Sequence, residues 1–182
     1  VAGHWRQTNN FSFWVSPLTE LAGKTMGLVG FGRIGRATAR LANAFGMKVV
    51  ANARTERDTP SYAGFEWLEL PELFARSDYV SLHCPQTETN AGFVNRDLID
   101  LMKPSAMLIN TARGGLVNEK DLADSLNRDR IAGAILDVVS AEPIQADNPL
   151  LAAKNCLLTP HMAWATIEAR RRLMQITAAN VS

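Results

Sequence analysis

A glycine segment with the spacing G-x-G-x-x-G, from Gly30 to Gly35, limits the possible folds of this chain more than any other feature. Residues 24–29 before it form an apolar run typical of a short buried strand, and residues 33–45 after it carry apolar side chains at helical spacing. A strand, a glycine turn and a helix in this order predict dinucleotide binding. Gly30 permits the turn, Gly32 lets backbone N–H groups approach a pyrophosphate, and Gly35 lets the helix pack close to the strand.

Composition narrows the class of partner. The 182 residues are 47% hydrophobic, which is enough for one well-cored domain. A net charge of +1 without a basic run gives no reason to expect nucleic acid or a membrane surface, so the expected partner is a small molecule. Cys84 and Cys156 lack metal or redox spacing and are predicted to be small buried residues, with no metal site. No apolar run approaches the ~20 residues of a membrane span, and we expect a cytoplasmic protein.

Apolar strands alternate with helices along the rest of the chain. Strands are predicted at 24–29, 47–51, 79–82, 106–109, 131–138 and 157–158, and helices at 33–45, 68–74, 95–102, 118–127 and from 162 to the end, with residues 54–64 as a polar loop. Asn95 and Asn118 are the expected N-caps of two helices. This alternation predicts an α/β fold, a doubly wound parallel sheet of the Rossmann-like dinucleotide-binding type with about six strands. Ligands then gather at the carboxyl ends of the strands.

The first twenty residues differ from the rest and are predicted to form an N-terminal arm, residues 1–20, ahead of a dinucleotide-binding domain, residues 21–182. Four large aromatic residues lie in this polar arm, namely Trp5, Phe11, Phe13 and Trp14. They require burial against either the body of the domain or a second subunit, and we favour the subunit.

The tip of the second strand bears on the choice of coenzyme. An acidic residue at this position usually binds the adenosine ribose, but here the position holds Ala53. Arg54 offers a bidentate donor to a 2′-phosphate, with Thr55 and Arg57 close by, which favours NADP over NAD. The alternative is that Asn52 bonds a free ribose and that Arg54 is only a surface residue.

Three further stretches fall at successive strand ends, residues 109–115, 137–143 and 159–164. Together with residues 29–35 they resemble the D-isomer-specific 2-hydroxyacid dehydrogenase family, in the family's order and over the whole chain. Within the family, residues 11–14 and 159–166 look most like the glycerate dehydrogenase or hydroxypyruvate reductase branch. The resemblance implies an NAD(P)-dependent oxidoreductase with hydroxypyruvate or glyoxylate as substrate.

The expected catalytic residues are Arg113, Glu142 and His161. Reduction of a 2-oxo acid needs a proton donor for the carbonyl oxygen, and histidine titrates near working pH, which indicates His161. The resemblance assigns Glu142 the role of orienting the imidazole, and the guanidinium of Arg113 matches the planar carboxylate of the substrate. Taken singly, each residue also has a structural interpretation: a buried histidine, a turn cap or a solvated loop carboxylate.

The resemblance also implies residues along the coenzyme. Asp137 would meet the nicotinamide carboxamide, the backbone at Thr111 and Ala112 its other face, and residues 83–87 would line the adenosine side. The full expected set of cofactor-binding residues is Gly30, Gly32, Arg33, Ile34, Gly35, Arg54, Thr55, Cys84, Pro85, Thr89, Thr111, Ala112, Arg113, Asp137, His161 and Ala163.

The family has a second domain that closes over the coenzyme, and the sequence leads us to expect that this substrate domain is absent from the chain. The lack of an initiator methionine and the end within a helix suggest an excised coenzyme domain, which would bind coenzyme but turn over poorly. A homodimer is expected from the aromatic arm and the family's habit of pairing through this domain. Phosphite or formate dehydrogenase and a dinucleotide-sensing corepressor stay open as alternatives.

Overall fold

The structure is a computed structural model and describes residues 6, 9, 11–14, 18–56 and 59–181. It contains one parallel sheet of seven strands in the order β3-β2-β1-β4-β5-β6-β7. The strands are β1 Thr25–Val29, β2 Lys48–Asn52, β3 Phe65–Trp67, β4 Tyr79–Leu82, β5 Met107–Asn110, β6 Gly133–Leu136 and β7 Cys156–Leu158. The α-helices are α1 Arg33–Ala44, α2 Leu70–Arg76, α3 Arg96–Ile99, α4 Glu119–Asn127 and α5 Ile167–Val181. No helix in these ranges is long and apolar enough to cross a membrane.

The strand order confirms the predicted doubly wound α/β fold. From β1 the chain runs outward through β2 to β3, then returns to β4 on the other side of β1 and continues to β7. The order therefore reverses between β1 and β4, and this switch point opens a crevice at the carboxyl ends of the strands. Every pair of neighbouring strands is parallel, so all carboxyl ends lie along one edge.

The structure adds one strand to the six that the sequence predicts. β3 is a three-residue strand that pairs with β2 at the edge of the sheet. A run this short has too little alternation to separate it from the preceding polar loop. Its two aromatic side chains, Phe65 and Trp67, lie 5.2 and 5.1 Å from the ring of Phe31, measured between ring centroids. The missed strand thus anchors the glycine turn, which carries Phe31.

Helix positions follow the prediction, with shifts at the ends. The side chains of Asn95 and Asn118 accept backbone N–H groups of α3 and α4, which confirms both N-caps. α3 is a single turn and therefore shorter than the predicted helix at 95–102. α5 begins five residues later than predicted, after a cap in which the Thr166 hydroxyl accepts the N–H of Ala169 at 3.2 Å.

Helix α1 packs on the sheet through small residues. Gly35, Ala39 and Ala42 are buried, whereas Ile34 and Leu41, which suggested the helix in the sequence, face outward with exposures of 70% and 64%. A helix that follows a glycine turn must approach its strand closely, and only small side chains allow this. The apolar stripe of α1 is consequently on its outer face.

Of the four large aromatic residues of the arm, the structure describes Phe11, Phe13 and Trp14, and all three are exposed. His4, Trp5 and Pro17 of the arm, and Arg57 near the tip of β2, lie outside the described residues.

Candidate functional site

The glycine turn between β1 and α1 is shaped by its neighbours. Gly30 has a φ of 98°, and a Cβ there would lie 2.7 Å from the backbone nitrogen of Cys84. A Cβ on Gly35 would lie 2.3 Å from the carbonyl oxygen of Gly30, so the helix could not start where it does. Above Gly32, by contrast, nothing lies within 4 Å. The turn is closed against the protein and open at Gly32, which fits a pyrophosphate seated at the start of α1.

A cleft of about 530 Å³ extends from this turn toward β2 and β4. Seven of the predicted cofactor-binding residues line it together: Gly30, Gly32, Arg54, Thr55, Cys84, Pro85 and Thr89. A smaller cleft of about 330 Å³ shares part of this lining and reaches Leu70 and Phe93. Two predicted residues, Arg33 and Ile34, are not among those lining either cleft, and Ile34 belongs to the outer stripe of α1.

Two candidates for the ribose end lie at the tip of β2. The side-chain amide of Asn52 donates one of its two N–H groups to the carbonyl oxygen of Leu68 at 2.8 Å, and Asn52 lines the smaller cleft. Arg54 and Thr55 both line the larger cleft, and Ala53 brings no carboxylate to it. Donors at this end of the larger cleft therefore come from Arg54 and Thr55.

The inner wall of the cleft carries uncharged side chains. Burial lowers the pKa of His83, whose Nε2 lies 3.0 Å from the hydroxyl of Ser81. Burial also raises the pKa of the Cys84 thiol, and raises that of Cys156 to about 11. Both cysteines are free and half-buried rather than fully buried as the sequence suggests.

The end of β5 is organised by Asn110, which the sequence analysis missed. Asn110 is 1% exposed, donates to the carbonyl oxygen of Arg113 at 2.9 Å and accepts the N–H of Ala112 at 3.0 Å. These two bonds fix the turn from Thr111 to Arg113. The Arg113 guanidinium is exposed, donates to the carbonyl oxygen of Ala112, and has no carboxylate partner among the described residues. The signal in the sequence was a polar residue ending an apolar strand.

Asp137, at the end of β6, holds the segment that carries the histidine. Its Oδ1 accepts the Thr159 hydroxyl at 2.5 Å and the Met162 N–H at 2.9 Å. Its Oδ2 accepts the Ala163 N–H at 2.8 Å, and its carbonyl oxygen accepts the N–H of His161 at 2.8 Å. Burial raises the pKa of Asp137, but these hydrogen bonds outweigh burial and hold the pKa below its usual value. A carboxylate has about four acceptor sites, so one of them is left for a ligand.

Glu142 and His161 form a hydrogen-bonded pair. The Oε2 of Glu142 lies 2.7 Å from the Nδ1 of His161, and its Oε1 accepts the N–H of Val139 at 3.2 Å. The hydrogen bond from His161 lowers the pKa of Glu142 below the usual value of a carboxyl group. His161 has a φ of 51°, and its carbonyl oxygen accepts the indole N–H of Trp164 at 3.0 Å. The surrounding hydrogen bonds therefore hold His161 in a backbone conformation that residues other than glycine rarely adopt.

The pair opens onto a cleft of about 640 Å³, whose apolar lining includes Val139, Ile144, Leu151 and Leu158. With its Nδ1 held by Glu142, the imidazole of His161 has Nε2 left for a reacting group. Such a pair donates or accepts one proton at a fixed position.

The predicted residues thus form three groups along one edge of the sheet. The glycine cleft lies at β1, β2 and β4, the Arg113 turn at β5, and the Glu142–His161 pair beyond β6 and β7. β5 lies between β4 and β6, so Arg113 comes between the cleft and the pair. No hydrogen bond joins Arg113 to Glu142 or His161 in the part of the chain that the structure describes.

Curated proteins are similar in sequence to this chain over most of its length. A hydroxypyruvate reductase from Blautia hydrogenotrophica is 46% identical over 179 residues, which are 98% of this chain and 56% of that protein. A glyoxylate reductase from Thermofilum pendens is 41% identical over 182 residues, which are 98% of this chain and 53% of that protein. The chain therefore spans little more than half the length of these relatives.

Solved structures agree with this comparison. The structure of an acyclic imino acid reductase (Bsp5) in complex with NADPH and D-Arg superposes with a TM-score of 0.85 and 35% sequence identity, covering 98% of this chain and 56% of that one. Residues 2–163 match the family described as D-isomer specific 2-hydroxyacid dehydrogenase, NAD binding domain. This chain belongs to the D-isomer-specific 2-hydroxyacid dehydrogenase family and carries its NAD-binding domain.

Proposed function

We propose that the whole protein reduces a 2-oxo acid to a D-2-hydroxy acid with a nicotinamide coenzyme, and that its substrate is hydroxypyruvate or glyoxylate. The observation that carries this proposal is the 2.7 Å pair of Glu142 and His161, on the same edge of the sheet as the glycine cleft. The two relatives described above are named as reductases of these two acids, which favours an enzyme over a corepressor.

The coenzyme, when bound, supplies the hydride for the carbonyl carbon. The protein supplies the proton: Nε2 of His161 donates it to the carbonyl oxygen as negative charge develops there. The Glu142 carboxylate accepts a hydrogen bond from Nδ1–H of the ring. This bond fixes the orientation of the imidazole, and the negative charge stabilises the positively charged imidazole. The low pKa of Glu142 keeps that carboxylate charged at neutral pH.

Arg113 is the proposed partner of the substrate carboxylate. Its guanidinium is exposed beyond the end of β5 and, among the described residues, is bound only to the carbonyl oxygen of Ala112. A guanidinium binds a carboxylate with two parallel hydrogen bonds, and its charge also stabilises the oxygen anion next to it. Asn110 fixes the backbone of this turn and therefore the starting point of the side chain.

NADP is the proposed preferred coenzyme. Ala53 leaves the tip of β2 without a carboxylate that would repel a 2′-phosphate, and the donors of Arg54 and Thr55 line the cleft beside it. Asn52 has one amide N–H bonded to Leu68 and is not among the residues lining the larger cleft. The imino acid reductase of similar fold was solved with NADPH.

We further propose that residues 21–182 are the coenzyme domain of a two-domain enzyme, with the substrate domain outside the sequence given. Support comes from α5, none of whose described residues is buried although it carries Ile167, Leu173, Met174 and Ile176. Apolar side chains at such a density on an exposed helix need a partner surface.

A homodimer is proposed on similar grounds. Phe11 and Trp14 of the arm are 94% and 70% exposed, and the outer stripe of α1 presents Ile34, Leu41 and Phe45. In a symmetric dimer the same surface of each copy takes part, so the arm residues and the stripe of α1 would be covered on both chains. Covering them with a second copy would bury residues that a monomer leaves in water.

The reduction proposal is tested by steady-state assay of the full-length enzyme with hydroxypyruvate or glyoxylate. We expect the variant His161→Gln to lower kcat by about 10²–10⁴-fold, since it removes the proton donor. The control Glu72→Gln, in α2, should keep the parent rate, because Glu72 is exposed and pairs with Arg76 of the same helix. Wild-type enzyme without activity on either acid, or a His161→Gln variant of normal rate, would contradict the proposal.

The coenzyme preference is tested by titrating the protein with NADPH and NADH while following nicotinamide fluorescence. Tighter binding of NADPH is expected, and Arg54→Asp should reverse the order by removing the phosphate donor and adding a repulsive charge. Arg128→Asp is the matched control, because Arg128 is exposed at the C-terminal end of α4 and is not among the residues lining either cleft. Equal binding of the two nucleotides by the parent protein would overturn the preference for NADP.

A further inference from the structure

The loop that carries Glu142 has little to hold it in place by itself. All eight residues from 140 to 147 are exposed, so no side chain of this loop is anchored in the core. Within the loop, the backbone N–H of Asn148 bonds the carbonyl oxygen of Gln145, and the Gln145 amide bonds that of Pro143. Yet the Glu142 carboxylate is held 2.7 Å from His161. Something outside the loop must fix its two ends.

A single carboxylate from another element binds both ends. Glu119, the first residue of α4, accepts the N–H of Ser140 at 2.6 Å through Oε1. Its Oε2 accepts the Ser140 hydroxyl at 2.8 Å and the Asn148 side-chain amide at 2.8 Å. Ser140 and Asn148 enclose the exposed loop, so Glu119 closes it like a clasp. The mechanism described above does not use this residue.

The segment that precedes α4, which begins at Arg113, also contacts the loop that carries Glu142. Five residues before Glu119, Gly114 packs so tightly on the loop that an added Cβ would lie 1.9 Å from the carbonyl carbon of Val139. Gly114 directly follows Arg113. The segment from Arg113 to Glu119 therefore touches the beginning of the Glu142 loop at two points, one through backbone packing and one through hydrogen bonds.

We propose that Glu119 is a positioning residue for the reduction: by bonding Ser140 and Asn148 it holds Glu142 against His161, without touching the substrate itself. This inference rests on the proposed function only for its effect on rate, since the placement of Glu142 is a property of the protein alone.

The chemistry of the clasp requires a carboxylate. Its three partners are a backbone N–H, a hydroxyl and an amide NH₂, and Glu119 accepts from each of them. An ionised carboxylate has only acceptors, so it serves all three at once. In the variant Glu119→Gln, the new NH₂ group would face the NH₂ group of Asn148, and one end of the loop would be released.

The first test measures kcat of the full-length enzyme in a double-mutant cycle. Glu119→Gln should lower kcat by about ten- to a hundred-fold through misplacement of the catalytic pair, with binding of NADPH unchanged. In a Glu142→Gln background, the same substitution should change kcat by less than about two-fold, because the group that it positions is already gone. Glu72→Gln, a first-turn glutamate of α2, is the matched control. Equal losses in both backgrounds would mean that Glu119 acts on stability or elsewhere, and would overturn the proposal.

A rescue variant separates positioning from a general loss of stability. Asn148→Asp alone places two carboxylates side by side and should also lower kcat. Combined with Glu119→Gln, it restores a donor facing an acceptor, and we expect most of the lost rate to return. The changed residue still caps the N–H of Leu150, because aspartate keeps the oxygen that Asn148 uses there. No recovery in the double variant, with a melting temperature equal to that of the parent, would count against the clasp.

A readout that needs no activity distinguishes the two proposals. The ring C–H NMR signals of His161 report its contact with Glu142, and they should move in Glu142→Gln. Glu119→Gln should move them in the same direction, and Glu72→Gln should leave them in place. Wild-type enzyme that reduces no 2-oxo acid would refute the proposed function while this result still decides the placement. Signals that respond to Glu142→Gln but not to Glu119→Gln would refute the clasp.

Discussion

Buried polar side chains at the strand ends fix the backbone of the segments that carry the candidate site residues. Asp137 accepts four hydrogen bonds in all, three through its carboxylate and one through its carbonyl oxygen, and all four come from residues 159–163. Removing such an acceptor would leave several donors unpaired, which costs more than the bonds contribute. The conformation of His161 is thus set by a residue that is 24 positions earlier in the chain.

The hydrogen-bonded pair of Glu142 and His161 leads us to expect that kcat depends on pH. The hydrogen bond from His161 holds the pKa of Glu142 below the usual value of a carboxyl group, so Glu142 keeps its negative charge to a lower pH than an unpaired glutamate. In the wild type, kcat should therefore fall only when the pH drops below the ordinary glutamate range and Glu142 gains a proton. In Glu142→Gln the charge is absent at every pH, so kcat should be lower throughout and this acid-side fall should be missing. The measurement is kcat against pH for the full-length enzyme and its variant.

An acid-side fall in kcat that is the same in Glu142→Gln as in the wild type would show that this fall does not arise from the carboxylate of Glu142. Glu66→Gln is a suitable control, since the pKa of Glu66 is also lowered, here by a hydrogen bond from Arg76. That ion pair lies on an exposed surface between β3 and α2, and the profile of its variant should match the parent.

The sequence suggests which side chains could carry the reaction but not which residues hold them. His161, Glu142 and Arg113 stand out because their chemistry suits the proposed reaction. Glu119 and the Thr159 hydroxyl act through contacts between segments distant in sequence, and nothing in a local pattern reports such contacts. Their roles follow only once the sheet has brought the strand ends together.

Among the elements, the glycine turn is the best predicted and the most firmly anchored. Spacing alone identified it, but its anchor is Phe31, a buried residue within the turn that the pattern leaves unspecified. Phe31 packs on the rings of Phe65 and Trp67 from β3, the strand that was missed. A turn pinned in this way keeps its N–H groups in place for an anion, without ordering them at the moment of binding.

This anchoring predicts the outcome of a single substitution. Phe31→Ala should destabilise the coenzyme domain by about 3–5 kcal/mol, the usual cost of removing a buried aromatic ring. It should also weaken NADPH binding, since the turn loses its anchor. Denaturant unfolding and nucleotide titration of the same samples measure both effects. Leu101→Ala is the control, because Leu101 is 43% exposed and should cost within about 0.5 kcal/mol.

A destabilised variant that still binds NADPH with the parent affinity would separate stability from the shape of the turn. That result would contradict the role we give to Phe31, whatever the size of the stability loss.

Two element-level errors have a common cause. The outward face of α1 and the late start of α5 both arise where tertiary contacts override a helical pattern. In α1 the sheet accepts only the small side chains of Gly35, Ala39 and Ala42. Before α5 the carboxylate of Asp137 binds the backbone N–H groups of residues 162 and 163 in a non-helical segment, and the helix starts only after the Thr166 cap. Spacing finds the helices here, but it does not reveal their neighbours.

The whole molecule displays more apolar surface than a monomeric domain normally leaves in water. The outer stripe of α1, the arm residues 11–14 and helix α5 are separate patches, and the proposals above give the first two to a second copy and the third to the substrate domain. Their apolar pattern predicts that these side chains are buried. In the proposals above, the surfaces that bury them come from a second copy of the chain and from the substrate domain.

Light scattering of the full-length protein tests the dimer. We expect a mass twice that of the single chain, and Leu41→Glu combined with Phe45→Glu should give the monomer mass by placing two charges in an apolar interface. Leu101→Glu, at an exposed position outside α1, should leave the dimer intact. A parent protein of monomer mass would contradict the dimer, and a dimer that survives both charges would place its interface elsewhere.

The configuration of the product is the most direct test of the central claim. Full-length enzyme, NADPH and hydroxypyruvate should yield glycerate, and chiral chromatography of the product determines its configuration. The account predicts D-glycerate in the wild type and, in His161→Gln, a loss of about 10²–10⁴-fold in its rate of formation. L-glycerate, or no glycerate from hydroxypyruvate and no glycolate from glyoxylate, would contradict it.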